Sequence, residues 1–315
     1  MIGRIRVYFD HKYITKEPFF NSFYERYVKS PVGAILCLHR VAEHDSSRLH
    51  INEELKVAPD YLDYLIREYI SRNIDIVSLD EIPERILTRN RTPFVCFTFD
   101  DGYRDNYLNA YPIFRKYGKP FNIYLTTSFP EQQAVIYWDI LEDIILSHHQ
   151  VVLNDGSIFD CSSSTLKEES FFQIRDRLFK IQPADFEEVF CELLGHYEFE
   201  IGDYVSRVAL SWDEIRELHK SGLCTFGNHT HSHCSVTDIG VSQLVDDIQR
   251  CNELFNHHTE GELLHFSFPY GHYNMEVKKA IQDHFHFKTL TTLSRDYVSF
   301  RSDAFSLPRF SITDM

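Results

Sequence analysis

Three short segments of this 315-residue chain carry reactive side chains at spacings that could do chemistry. The first is Thr98-Phe99-Asp100-Asp101-Gly102, at the end of the apolar run FVCFTF. A strand that ends in two adjacent carboxylates, a glycine turn and a helical stretch has the pattern of a βα active-site loop. Successive strand residues point to opposite sides, so the two carboxylates can divide the work, one binding a cation and the other taking a proton. The second segment is Asn228-His229-Thr230-His231-Ser232-His233, after the run LCTFG. His229 and His233 are four apart, so one helical turn would place both on one face as ligands of a single metal. Neutral imidazole suits zinc, iron, nickel or cobalt. The third is Phe266-Ser267-Phe268-Pro269-Tyr270-Gly271, where Pro269 and Gly271 impose a tight turn. Such a turn can aim the backbone N–H of Tyr270 at a developing oxyanion. Singly, each has a plainer explanation: an acidic helix-capping turn, a polar loop with chance histidines, an ordinary turn.

Two imidazoles and one carboxylate leave coordination positions free for water and substrate, the feature of a catalytic rather than a structural zinc site. The same three ligands describe non-haem iron, so ligand type does not choose the reaction. The spare second aspartate favours hydrolysis, since a carboxylate beside an activated water is a general base.

The elements that must position these groups alternate along the chain. Short apolar runs predict strands over Ala34–His39, Ile74–Val77, Phe94–Phe99, Phe121–Thr126, Leu223–Asn228, Leu263–Phe268 and Phe287–Thr292. Several are continuously apolar, as in parallel sheets covered on both faces. Helical spacing predicts helices over Tyr61–Ile70, Trp212–Lys220 (opened by the capping box of Ser211 and Glu214), Val241–His257 and Met275–His284. The fold expected is α/β, a distorted (β/α) barrel of about seven parallel strands. From about Trp138 to Tyr204 the pattern is helical with little strand signal, which predicts a helical insertion; the turn-rich Asn154–Ser164 divides it. Residues 1–32 read as an N-terminal extension and 33–315 as the barrel domain.

Composition sets limits on partners. Lys and Arg number 32 against 47 Asp and Glu, a formal net charge of −15, which argues against nucleic acid or an anionic membrane as partner. No apolar run approaches the roughly 18 residues of a membrane helix. The opening MIGRIRVYFDHKYITKEPFF lacks a continuous apolar core of roughly 7–15 residues, so a cytoplasmic location is expected. The seven cysteines form no C-x-x-C pair, which fits reduced thiols in that compartment. The 26 Phe and 18 Tyr can fill a core, and some could stack on sugars.

In this order, the three segments resemble the motifs of the polysaccharide deacetylase family, the NodB-homology domain of carbohydrate esterase family 4. TFDDG matches its first motif, HTHSH its H-[S/T]-x-x-H second motif, and FSFPYG is a variant of its third, with Ser267 where an Arg often stands. The resemblance spans about residues 33–310 and implies that Asp100 is the general base. It implies that Asp101, His229 and His233 hold a divalent metal ion, first of all Zn2+, and that Tyr270 donates its N–H to the oxyanion. The Leu-x-x-His motif that supplies the general acid in many members is absent after Phe287. Cys37-Leu38-His39-Arg40-Val41 is instead similar to a branch with an N-terminal histidine, which makes His39 the general acid. Arg309, in LPRF, would replace the missing motif arginine in orienting the base. The expected function is metal-dependent removal of an N-acetyl or O-acetyl group from an acetylated sugar, in a polysaccharide or its precursor. Two alternatives stand beside it: an amidohydrolase-type barrel, which would use His229 and His231 as an H-x-H ligand pair, and a non-catalytic sugar-binding homologue.

Overall fold

The computed structural model describes residues 31–182 and 185–314, so residues 1–30 of the expected N-terminal extension lie outside the described residues. The strands are β1 (Pro31–Leu38), β2 (Arg40–Val41), β3 (Lys56–Val57), β4 (Asp75–Ile76), β5 (Phe94–Phe99), β6 (Phe121–Leu125), β7 (Gln150–Val152), β8 (Ile158–Asp160), β9 (Cys224–Asn228), β10 (His265–Ser267), β11 (Thr289–Thr291), β12 (Val298–Ser299) and β13 (Phe310–Ser311). The main sheet runs β11-β10-β9-β6-β5-β1-β12, with β4 also paired to β5 and β13 to β1. Every pairing in it is parallel except β1 with β12. The sheet curls into the expected distorted barrel. Its two sides are joined by the chain around Arg309: Leu307 bonds to Leu290 and Thr292 beside β11, and Ile312 to Cys37 in β1.

Alternation along the strands sorts the side chains. Leu36, Leu38, Phe97, Phe99, Ile123 and Leu125 face outward into the apolar layer beneath the helices. Their neighbours Ile35, Cys96 and Tyr124 face the barrel interior. The same parity turns Cys37, Thr98 and Ser267 inward, so the interior becomes polar toward the carboxyl ends of the strands, where a βα barrel keeps its site.

The predicted helices form at Pro59–Ser71, Trp212–Lys220, Val241–Thr259 and Met275–His284. The Ser211–Glu214 capping box is present. Between β6 and β9 lie helices Tyr137–Ser147, Ser164–Leu178, Phe186–Leu193 and Ile201–Val208. This stretch is not wholly helical: β7 and β8 form an antiparallel hairpin, burying Val151 and Phe159 and turning at Gly156 with φ 84°. Three-residue strands are too short to show a period, so the turn residues alone were legible there. The stretch has its own apolar centre, with Ile140, Ile144, Phe171, Ile174 and Phe190 buried together. No helix among the described residues is long and apolar enough to cross a membrane.

Candidate active site

The end of β5 does not send its two carboxylates to opposite sides of the sheet. Asp101 takes φ 76° and Gly102 φ 95°, so the chain turns sharply and both carboxylates converge on the β9 side. His229 Nε2 lies 3.4 Å from Asp101 Oδ1 and 4.0 Å from Asp100 Oδ2. His233 Nε2 lies 3.1 Å from the same Asp101 oxygen. The two histidines are not joined by a helical turn either. The chain after β9 is a loop in which Thr230 and His233 take φ 65° and 54°. With Asp101 and Tyr270 (φ 57°), four non-glycine residues hold left-handed backbone around one point. Conformations of that kind cost about 1–3 kcal/mol each and persist where the surrounding structure enforces them.

Asp101, His229 and His233 offer ligand atoms within 4.8 Å of one another. The Ser267 carbonyl, which can only accept, lies 2.9 Å from His229 Nδ1, so that nitrogen carries the proton and Nε2 keeps its lone pair. His233 Nδ1 meets the Tyr270 hydroxyl at 3.1 Å, a group that can accept from it and so is compatible with the same tautomer there. Asp101 Oδ1 is buried and has no hydrogen-bond partner among the described residues. Lone pairs therefore face each other in a site shielded from water, a donor set that fits a divalent cation.

Asp100 sits in a different environment. Arg309, 1% exposed, grips it with two parallel bonds, Nη1 to Oδ1 at 2.7 Å and Nη2 to Oδ2 at 2.8 Å. The guanidinium also donates to the hydroxyls of Thr98 (3.1 Å) and Ser267 (2.7 Å) and to the Thr292 carbonyl (3.3 Å), and it lies over the Tyr124 ring. Burial raises the carboxyl's affinity for a proton, but Arg309 and then His229 outweigh it and hold Asp100 below the usual range. The small Ser267 side chain leaves room for the arginine that arrives from the closing segment.

His39, Cys37 and Asp100 also offer ligand atoms within 4.8 Å of one another. This set suits proton transfer better than a metal, because Arg309 already occupies both Asp100 oxygens and burial pushes the Cys37 thiol well up. Two residues that the sequence reading passed over anchor the histidine's loop: Asn106 donates to the His39 carbonyl at 2.9 Å, and Asp105 accepts from the Val41 N–H and Arg40. Both follow TFDDG, Asp105 just before and Asn106 at the start of a short π-helical turn, Asn106–Ala110, an irregularity frequent at functional sites. The turn after β10 uses the N–H groups of Gly271 and His272 for its own bonds and leaves the Tyr270 N–H outside them. His231 lies apart from the ligand set, its ring engaged by Thr127 (2.9 Å) and Arg250 (3.2 Å), which disfavours an H-x-H ligand pair.

The chain matches the family model described as polysaccharide deacetylase over residues 88–153 and 190–286, just over half its length. Among solved structures it is similar to the Streptococcus pyogenes deacetylase PplD in complex with acetate, with TM-score 0.62 and 16% identity over 90% of this chain and 93% of that one. It is similar as well to IcaB from Ammonifex degensii, with TM-score 0.58 and 16% identity over 91% and 94% of the two chains. At those identities the likeness concerns the fold. YxkH of Bacillus subtilis (strain 168), provisionally assigned to the polysaccharide deacetylases, is 46% identical over 43 residues, which is 13% of this chain and only 15% of that protein. The family model, which takes in both the β5 turn and the histidine loop, is the decisive comparison: the chain belongs to the polysaccharide deacetylases, a family of hydrolases acting on carbon–nitrogen bonds other than peptide bonds.

Proposed function

We propose that the protein is a metal-dependent deacetylase that hydrolyses an N-acetyl (or O-acetyl) group on a sugar of a polysaccharide or its precursor. The observation that carries this reading is the pairing of two adjacent carboxylates in opposite states of engagement. Asp101 is unpartnered between two imidazoles, and Asp100 is fixed by Arg309 beside them. Asp101, His229 and His233 would hold the cation, with Zn2+ the first choice for two nitrogens and one oxygen. A bound divalent ion supplies Lewis acidity toward the acyl carbonyl and the attacking water.

The chain's own residues do the rest. Asp100 takes a proton from water as its oxygen attacks the carbonyl carbon. Its ionised state is secured by Arg309, which also fixes the direction of its lone pairs. The Tyr270 N–H is free to donate to the oxyanion. His39 delivers a proton to the sugar nitrogen as the carbon–nitrogen bond breaks, which leaves acetate and an amine. Acetate is also what the streptococcal structural relative holds. We place the reaction in the cytoplasm, a reading with which seven free thiols, six of them buried, accord.

Acetate release from N-acetylglucosamine oligomers, measured on protein loaded with Zn2+, tests this. Asp100→Asn is expected to retain stoichiometric metal and lose roughly 10²–10⁴-fold in turnover, the range for a positioned general base. Full activity in that variant, or a wild-type protein that takes up no divalent ion, overturns the reading. The second outcome would favour a sugar-binding homologue.

A further inference from the structure

The metal-side histidine loop opens onto a cleft of about 340 Å³ that the proposed reaction does not use. Its near wall is shared with the site, through His233 and Tyr270. Another part of its lining is Phe179, Gln182, Phe186 and Glu187, with Phe179 in edge contact with Tyr270. These four lie in the stretch between residues 153 and 190, which the family model leaves unmatched. Tyr137 and Trp138 connect the two parts. Ring centroids lie 6.3 Å apart for Trp138 and His233, 5.8 Å for Tyr137 and Phe186, and 5.2 Å for Phe179 and Tyr270. Phe179, the residue that ends helix Ser164–Leu178, is 37% exposed and lines the cleft.

We propose that this cleft is a saccharide subsite, which binds one uncharged sugar ring adjoining the ring that loses its acetyl group; this rests on the deacetylase reading above. The volume is at the small end of ligand pockets, enough for one ring rather than a long oligomer. Aromatic faces suit the C–H face of a pyranose, and amide and carboxylate side chains at the edge suit its hydroxyls. Gln133, Gln182, Glu187 and Asp238 stand exposed at the rim, where the hydroxyls of a sugar can meet them and an acyl chain cannot. A diphosphate-linked sugar fits worse still. No lysine or arginine lines the cleft among the described residues, while Glu187 and Asp238 do; Arg175 is engaged over the rings of Phe172 and Phe179, at 4.7 and 5.4 Å.

The test compares acetate release from N-acetylglucosamine and from its β-1,4-linked tetramer. Phe179→Ala is expected to raise KM for the tetramer roughly tenfold, the scale of one good aromatic contact, with kcat and the monomer's kcat/KM little changed. Phe179→Tyr should restore the wild-type KM. Binding is read without turnover in the double variant Asp100→Asn/Trp212→Phe. Only two tryptophans occur in the chain, so its emission comes from Trp138 alone. The tetramer should shift that emission at concentrations where UDP-N-acetylglucosamine and octanoate do not. Equal KM in wild type and Phe179→Ala, or an emission shift by octanoate in preference to the tetramer, overturns the subsite. A wild type that releases no acetate while the tetramer still shifts Trp138 emission sinks the deacetylase reading and leaves the saccharide cleft standing.

Discussion

The barrel and the stretch inserted between β6 and β9 are held together by opposite means, though both border the same cleft. The inserted stretch has an ordinary apolar centre, with Phe171, Ile174 and Phe190 packed among helices and a hairpin. The upper barrel instead buries a guanidinium, a carboxylate and the hydroxyls of Thr98 and Ser267, each satisfied by another. A satisfied buried ion pair adds little net stability, yet removing one partner leaves a charge stranded in low dielectric. Apolar packing loses energy in proportion to what is cut away, whereas the polar network fails as a unit. That difference matches what each region does: one must fix a base in a single orientation, the other only has to present a wall.

The sharpest way to break the comparison is at Arg309. Arg309→Met should destabilise the fold by about 3–5 kcal/mol in urea denaturation and lower turnover by roughly 10²-fold, because Asp100 is left buried and unpaired. Part of the loss is pH-dependent. With its carboxyl held below the unfolded value of about 4, Asp100 contributes stability above that pH, which fades as pH falls through the lower folded value. Arg309→Met abolishes that contribution, so the variant's deficit should be largest near neutrality and shrink in acid. Asp100→Asn/Arg309→Met should be more stable than Arg309→Met alone. Ser267→Arg/Arg309→Ala, which returns the cation from the other side of the barrel, should recover turnover over Arg309→Ala. Independent, additive losses for Asp100 and Arg309 would show that the network is not one unit.

The inserted stretch should behave differently. Phe190→Ala cuts a large ring out of its centre and is expected to cost about 3 kcal/mol. Because the stretch has its own core, the loss should surface as local opening. Amides of helices Ser164–Leu178 and Phe186–Leu193 should exchange faster while those of β5, β6 and β9 keep their protection, and metal uptake should be unchanged. If β9 amides lose protection to the same degree, the two regions form one cooperative unit.

The same contrast separates what the sequence made legible from what it hid. The β5 strand was legible to the residue because FVCFTF is apolar on both faces and ends in Asp-Asp-Gly. The parity of β1 and β5 already aims His39 and Asp100 into the barrel. Asp101, His229 and His233 could be grouped by motif, and Arg309 by the absence of a motif arginine. Hidden were the turns that bring them together, since left-handed backbone at Asp101, Thr230, His233 and Tyr270 is enforced by surroundings and not by local preference. Hidden too was the partner that sets the proton position on His229, the Ser267 carbonyl, because backbone groups carry no sequence signal. Phe179 and Phe186 offered only helical spacing, and nothing in that pattern distinguishes a packed ring from one lining a cleft.

The smallest expected effect discriminates best between one cooperative unit and two. Ser211 and Ser163 each cap a helix, one against the barrel and one in the inserted stretch. Ser211 receives the Glu214 N–H at 3.3 Å, and Glu214 in turn accepts from the Ser211 N–H at 2.9 Å and from Arg104 at 2.8 Å. The Ser163 hydroxyl accepts from the Leu166 N–H, at 3.3 Å. Helix Trp212–Lys220 buries Ile215 and Leu218 in the layer outside the sheet, so its first turn cannot fray without disturbing the barrel. Ser211→Ala should therefore cost about 1 kcal/mol, visible in the urea midpoint of the whole chain. Ser163→Ala should cost about 0.5 kcal/mol and show mainly as faster exchange in helix Ser164–Leu178. A midpoint lowered equally by both would mean that the inserted stretch melts with the barrel, and its wall of the cleft would then be as rigid as the base it faces.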